Sequence, residues 1–239
     1  MNLFEQVGLW LADPAQWSGP AGIPARLGEH LWYTVLTLLI AAAIAIPAGL
    51  YVGHTGKGKV AVVSAASALR ALPTLGLLTL FVILMGLGLM PPIYALVILT
   101  VPPLLAGTYS GIAAVDRQLL DAARGLGMTE WQVLVRVELP NALPVMLGGM
   151  RAAVLQVIST VAVVAYINLG GLGRYLIDGL AVSDPVRLFA GAILIAVLAL
   201  IVDLILSLVQ KYAVSPGLKS SPASPGQGTK NVGAPGAGQ

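Results

Sequence analysis

Few residues in this sequence are able to do chemistry, and their spacing argues against a reaction. Cysteine is absent from the 239 residues. That removes thiolate nucleophiles, thiolate metal sites and any disulfide framework. His30 and His54 each stand alone, with no third ligand at metal-binding spacing, so no metal site is expected. Gly53-His54-Thr55-Gly56-Lys57-Gly58-Lys59 has the glycine and lysine spacing of a phosphate-cradling loop. Such a loop follows a strand and continues with Ser or Thr, whose hydroxyl binds magnesium. Here Val60 comes next, and an apolar run precedes the glycines. The segment reads as a basic turn between two apolar segments. No nucleophile with a base, no acid–base cluster and no cofactor site emerges, so catalytic residues are not expected.

The elements around these residues are dictated by apolar content. Hydrophobic residues make up 57% of the chain and charged residues only 10%. Soluble domains of this size carry about 25% charge, so lipid is the expected solvent and the fold class is all-α integral membrane. Residues 31–53 carry no charge and match one helix across a ~30 Å hydrocarbon layer. The uncharged run from Ala71 to Val115 is too long for one crossing, and Met90-Pro91-Pro92 offers a turn within it. With the mild segment from Val60 added, spans are expected at about 60–87 and 92–115. A fourth is expected at about 143–168 and a fifth at about 188–210, the last holding Asp203. Residues 1–30 lack the basic start of a signal peptide and read as an interfacial or external lead-in. Residues 213–239 are rich in Pro, Gly and Ser and read as a disordered tail.

Net charge is +3, and the basic residues fall mainly between apolar runs rather than on a nucleic-acid face. With the N-terminus outside, the inner segments hold Lys57, Lys59, Arg117, Arg124, Arg136, Arg151 and Lys211, plus Lys219 and Lys230. The outer segments hold Arg26, Arg174 and Arg187. The positive-inside rule therefore places the N-terminus outside and the C-terminus in the cytoplasm.

Residues 116–140 form the most patterned polar stretch. Asp116 is placed to cap a short helix ending near Gly127, a residue suited to a left-handed turn. Thr129 and Gln132 have capping-box spacing for a second short helix, which Pro140 and Pro144 are expected to stop. Leu119, Leu120 and Ala123 make one apolar face, and Trp131, Leu134 and Val135 another. On physical grounds this helix–glycine–helix elbow is either a passive surface hairpin or a docking element.

The elbow resembles the signature of binding-protein-dependent ABC permeases, which reads Glu-Ala-Ala, three residues, Gly, nine residues, then Ile-x-Leu-Pro. This chain has Asp121-Ala122-Ala123, then Gly127, then Val137-Glu138-Leu139-Pro140, with every spacing kept. It departs at Asp121 for Glu and at Val137 for Ile. The resemblance covers about residues 30–212. It implies a permease domain in the plasma membrane, with the elbow as the coupling helix against a cytoplasmic ABC ATPase. Asp121, Ala122, Ala123, Gly127 and Pro140 would then be ATPase-coupling residues. It also implies a second permease subunit, the same chain or a related one, and an extracytoplasmic substrate-binding protein. ATP hydrolysis would lie in the separate ATPase.

A narrower resemblance is to the glycine betaine/carnitine/choline, or osmoprotectant, branch. It rests on Arg70-Ala71-Leu72-Pro73-Thr74-Leu75-Gly76-Leu77-Leu78, on Tyr109-Ser110-Gly111-Ile112 and on Gly170-Gly171-Leu172-Gly173. It implies a small osmoprotectant cargo such as glycine betaine, choline, carnitine or proline; an amino acid is the alternative within the family. A secondary transporter would need a second, inverted half that the chain lacks, and a channel would leave the elbow unexplained. Pathway or gate candidates are Arg70 and Pro73 in span two, Gly170, Gly171 and Gly173 in the outer loop, and Asp203. Arg70 is either a pathway residue or a side chain snorkelling to the surface, and Asp203 serves either helix packing or translocation. Trp32, Tyr33, Tyr51, Tyr94, Tyr109, Tyr166 and Tyr175 fall near span ends, where an aromatic belt is ordinary.

Overall fold

The structure, a computed structural model, describes residues 2–167 and 169–213. The described residues are helical with no strand. In chain order the α-helices are α1 (Leu3–Ala12), α2 (Ile23–Thr55), α3 (Lys59–Arg70), α4 (Thr74–Met85) and α5 (Met90–Ala113). There follow α6 (Arg117–Gly125), α7 (Glu130–Val133), α8 (Leu139–Val164), α9 (Gly173–Ala181) and α10 (Pro185–Ala213). Among the described residues, four helical stretches are long and apolar enough to cross a membrane: α2, Glu130–Ile167, α5 and α10. Helices α3 and α4 pass that test only as a pair, giving up to five. The tail expected from residue 213 onward lies outside the described residues apart from Ala213, as does Asn168 at the end of the expected fourth span.

The second expected span is not straight. Helices α3 and α4 meet at 90°. Pro73 has extended backbone and stands as the N-cap of α4, because it cannot donate into a continuing helix. Arg70 lies in the last turn of α3, at the bend within the expected second span, where a cation suits the helix dipole. The turn before α5 also differs from expectation. Gly86 (φ +85°) and Gly88 (φ +158°) make it, in backbone conformations other residues rarely adopt. Pro91 and Pro92 instead sit inside the first turn of α5, where a missing N–H costs nothing.

The core is the packing of α2, α5 and α8. Small residues let the backbones approach, the usual device where lipid offers no hydrophobic drive between helices. A Cβ on Gly107 would lie 2.6 Å from the Gly149 Cα, and one on Gly53 would lie 2.7 Å from the Ile112 Cβ. Ala41, Ala45, Ile93, Val97, Leu104 and Ala153 fill the centre. Pro103 lies inside α5 and leaves the Leu99 carbonyl without its helical donor. The Gln156 side-chain amide of α8 donates to that carbonyl at 3.1 Å, which repairs the helix and ties the two spans.

Within the apolar layer, Asp203 of α10 is paired with Arg151 of α8 by two parallel N–H···O contacts, from Nε to Oδ1 and from Nη2 to Oδ2 at 2.6 Å. Arg151 thus lies inside a span, not in the inner loop where the charge distribution had placed it. Asp203 pairs with it and not with Arg70. Such a bidentate pair is the way a helix carries two charges at membrane depth.

Candidate functional site

The polar groups gather at two ends of the bundle. At the elbow end, Asp116 caps α6, accepting from the Gln118 N–H at 2.9 Å. Gly127 turns the chain with φ +82°, and Thr129 with Gln132 forms a reciprocal capping box on α7. These three features match the sequence expectation. The stop at Pro140 does not. The helix runs on from α7 through a π-helical segment, Leu134–Glu138, into α8. A proline in a regular helix clashes with the carbonyl four residues back and lacks a donor. The π turn loosens that constraint: Leu139 donates to the Leu134 carbonyl five residues back, and the Asn141 side chain caps the Val137 carbonyl at 2.7 Å. Pro144 likewise lies within α8. The elbow is thus rigidly continuous with a span on one side and joined by a short turn to α5 on the other.

One face of the elbow is seated and the other is open. Leu120 and Leu134 pack on Ile112, Val115 and Ala142, and Ala123 is buried. Leu126 and Trp131 are 85% and 71% exposed, far more than a helix pair packed only on its own bundle would leave bare. Asp121, Ala122 and Gly127 are also exposed.

Charge is organised behind that open face. Arg124 donates to Glu130 from Nε at 2.9 Å and from Nη2 at 3.0 Å, and lies 3.7 Å from Asp121. The direct hydrogen bond from Arg124 is the main cause holding the Glu130 carboxyl below the ordinary carboxylate range. Glu130 is also 3.4 Å from Nε2 of His54, while Nδ1 of His54 lies 2.6 Å from the buried carboxylate of Glu138. His54 occupies the last turn of α2, which Gly56 ends with φ +69°. A polar cleft of about 580 Å³ lies beside this network, lined by Lys59, Tyr109 and Arg117 among others. The glycine–lysine run that imitates a phosphate loop is thus the end of one helix and the start of another.

At the loop end, α8 passes through a 3₁₀ turn, Ala165–Ile167, towards Gly170-Gly171-Leu172-Gly173 and α9. Here the glycines meet close neighbours, a side-chain end at Gly170 and backbone at Gly173. A Cβ on Gly170 would come within 1.9 Å of the Glu29 carboxylate, and one on Gly173 within 2.1 Å of the Ala162 carbonyl oxygen. Gly171, at φ +88°, donates its N–H to Glu29 at 2.7 Å, and Glu29 also pairs with Arg26 at 3.0 Å. His30 is fully buried beneath the loop, with Nε2 2.9 Å from the Ile158 carbonyl oxygen. Helix α9 is fixed by Asp178, which pairs with Arg174 and Arg187 at 3.0 Å each. The Tyr175 hydroxyl donates to the Ala21 carbonyl at 2.7 Å, and its ring meets Trp10 of α1 edge-on at 5.4 Å. The aromatic residues noted near span ends do not converge: among the described residues no two of the seven are in ring contact.

The structure therefore brings Asp121 and Gly127 together at one end and the three loop glycines at the other, while Arg70, Pro73 and Asp203 stay apart from both. Sequence reading missed Glu29, His54, Glu130 and Glu138. Their partners lie up to 142 positions away, and no local spacing marks them.

Comparison with known proteins agrees with the elbow signature. The family of binding-protein-dependent transport system inner membrane components matches residues 45–213. The glycine betaine/carnitine/choline transport system permease protein OpuCB of Bacillus subtilis is 33% identical over 194 residues, covering 81% of this chain and 89% of that protein. The osmoprotectant import permease protein OsmW of Salmonella typhimurium is 34% identical over 196 residues, covering 80% and 91%. Among solved structures, a chain of the MetNI methionine ABC transporter in inward-facing conformations has a TM-score of 0.70 at 19% identity, covering 80% of this chain and 95% of that one. A chain of an amino acid ABC transporter with histidines has a TM-score of 0.62 at 22% identity, covering 89% and 97%. These two share the fold. The chain belongs to the binding-protein-dependent transport system inner membrane components and is a permease subunit of an ABC importer.

Proposed function

We propose that this permease forms half of the pathway of an osmoprotectant importer carrying glycine betaine, choline, carnitine or a similar small zwitterion or cation. The observation that carries the substrate class is the agreement of the curated relatives. Over about four-fifths of this chain, the relatives from three genera are named for glycine betaine, carnitine, choline or osmoprotectants. The elbow end faces the cytoplasm in this reading, with the N-terminus outside, as the basic excess of the elbow end implies. Asp121, Ala122, Gly127 and the exposed Leu126 and Trp131 then form the coupling surface for a separate ABC ATPase, and the buried Ala123 belongs to it by seating the elbow on the bundle. Pro140 belongs to it by continuing the elbow into α8. A second permease, a copy or a relative, completes the pathway, and the loop end receives a substrate-binding protein.

Transport follows from a two-state movement. ATP-driven closure of the ATPases displaces the elbows. Because α7 is continuous with α8, that displacement turns a span as a rigid lever. At the far end of α8, Gly170, Gly171 and Gly173 hold a closely fitted loop that opens or closes the outer mouth. Arg70 and Pro73 form the bend of the second crossing, a hinge for the same movement. Asp203 with Arg151 keeps α10 on α8 as it turns.

The test is ATP-driven uptake into vesicles holding this permease with its partner ATPase and binding protein. Glycine betaine, choline, carnitine, proline and methionine are offered separately. Saturable uptake of one or more of the first three is expected. Uptake of methionine alone would overturn the substrate class and leave the permease assignment standing.

A further inference from the structure

His54 lies on a different element from every group it touches at the elbow. It stands at the end of α2, 84 residues from Glu138 and 76 from Glu130 in sequence. Its two ring nitrogens face two carboxylates: Nδ1 is 2.6 Å from Glu138 in the π segment, and Nε2 is 3.4 Å from Glu130 in α7. Glu130 is in turn gripped by Arg124 of α6. One imidazole thus joins both limbs of the elbow, through Glu138, Glu130 and Arg124, to the first long span. Glu138 is 2% exposed, and a buried carboxylate is tolerated only with a paired donor, which His54 supplies. Gly53 explains why the histidine arrives there. It lets α2 close on Ile112 of α5, and the next side chain is thereby carried against the elbow.

We propose that His54 is a positioning residue that ties the elbow to α2, so that a displaced elbow drags α2 together with α8. The proposal rests on the coupling reading of the elbow given above. Other charged groups at the site are Arg124 on Glu130, and Lys59, Arg117 and Asp121 around the cleft.

The chain has no cysteine, so a pair of spin labels is placed cleanly at Gln118→Cys on α6 of the elbow and Tyr51→Cys on α2, both exposed and in neither the tie nor the coupling surface. The distance distribution between them is measured on the permease complex with its ATPase. With His54 present, a narrow distribution is expected. His54→Ala should be broad, and ATP-driven uptake of glycine betaine and choline should fall about tenfold while ATP hydrolysis continues. His54→Gln, whose single amide can hold only one of the two carboxylates, should be broadened less and accumulate even where His54→Ala does not. A distribution as narrow as the parent's in either variant overturns the proposal. The coupling reading fails separately: the ATPase would then co-purify and drive uptake normally with Asp121→Lys, whatever the spin labels report.

Discussion

The two ends of the bundle solve opposite problems with different materials. At the loop end, tightness comes from close approach: Gly173 has no room for a Cβ against the Ala162 backbone, Gly170 lies against the Glu29 carboxylate, and the Gly171 N–H is held by Glu29. At the elbow end, Gly127 has nothing within 4 Å of a built Cβ, and the order comes from long side chains, Arg124, Glu130, His54 and Glu138. A close-packed joint has one fit and is lost by a methyl group. A side-chain network keeps its elements together while leaving a face bare for another protein. The pattern suits a permease that is sealed at one mouth and driven from the other.

Gly173→Val should sharpen this contrast most. Its side chain would force the Ala162 carbonyl aside, at a cost of about 3 kcal/mol by overpacking. Thermal unfolding in detergent should show a clear drop in midpoint for this variant and almost none for Gly127→Val, where only backbone strain acts. Equal drops would erase the difference between the ends.

Glu29→Ala comes next. It removes the acceptor of the Gly171 N–H and the partner of Arg26, at about 1–2 kcal/mol. Hydrogen exchange confined to residues 169–175 should quicken, and an unchanged rate there would show that Glu29 does not hold the loop.

The smallest effect belongs to the exposed pair Arg124–Glu130. The Glu130 carboxyl is held below its ordinary range, so the pair's contribution is complete above that range and is lost as pH falls through the lowered value. Exchange of α6 and α7 amides should therefore be flat with pH near neutrality, after correction for intrinsic rates, and rise only in acid. Arg124→Gln removes the pair at every pH, so exchange should already be faster near neutrality and the acid rise should largely disappear. An unchanged profile would detach Arg124 from Glu130.

What the sequence discloses is local. Asp116, Thr129 with Gln132, and Gly127 announced the elbow because caps and left-handed turns are written within a few residues of one another. Uncharged runs announced the crossings for the same reason. The bend at Pro73 is hidden within the expected span at 60–87 because hydropathy averages over a break. Pro140 was misread as a stop because a π turn accommodates a proline that a regular helix would not. Arg151 with Asp203, and His54 with Glu138, were invisible, since 52 and 84 positions separate the partners and only packing brings them together.

The central claim is that the elbow couples this permease to its ATPase, and one comparison tests it most directly. Asp121→Lys reverses the charge at the exposed signature position, and Gly127→Val strains the turn at φ +82° without a clash. Both lie outside the apolar helices that direct insertion. Each variant is expressed with the partner ATPase, and three quantities are read: membrane abundance, co-purified ATPase, and ATP-driven uptake into vesicles. Near-normal abundance with about tenfold less uptake, through lost docking or lost coupling, is the expected result. Normal uptake by both variants at wild-type abundance would contradict the account and return the elbow to a passive hairpin.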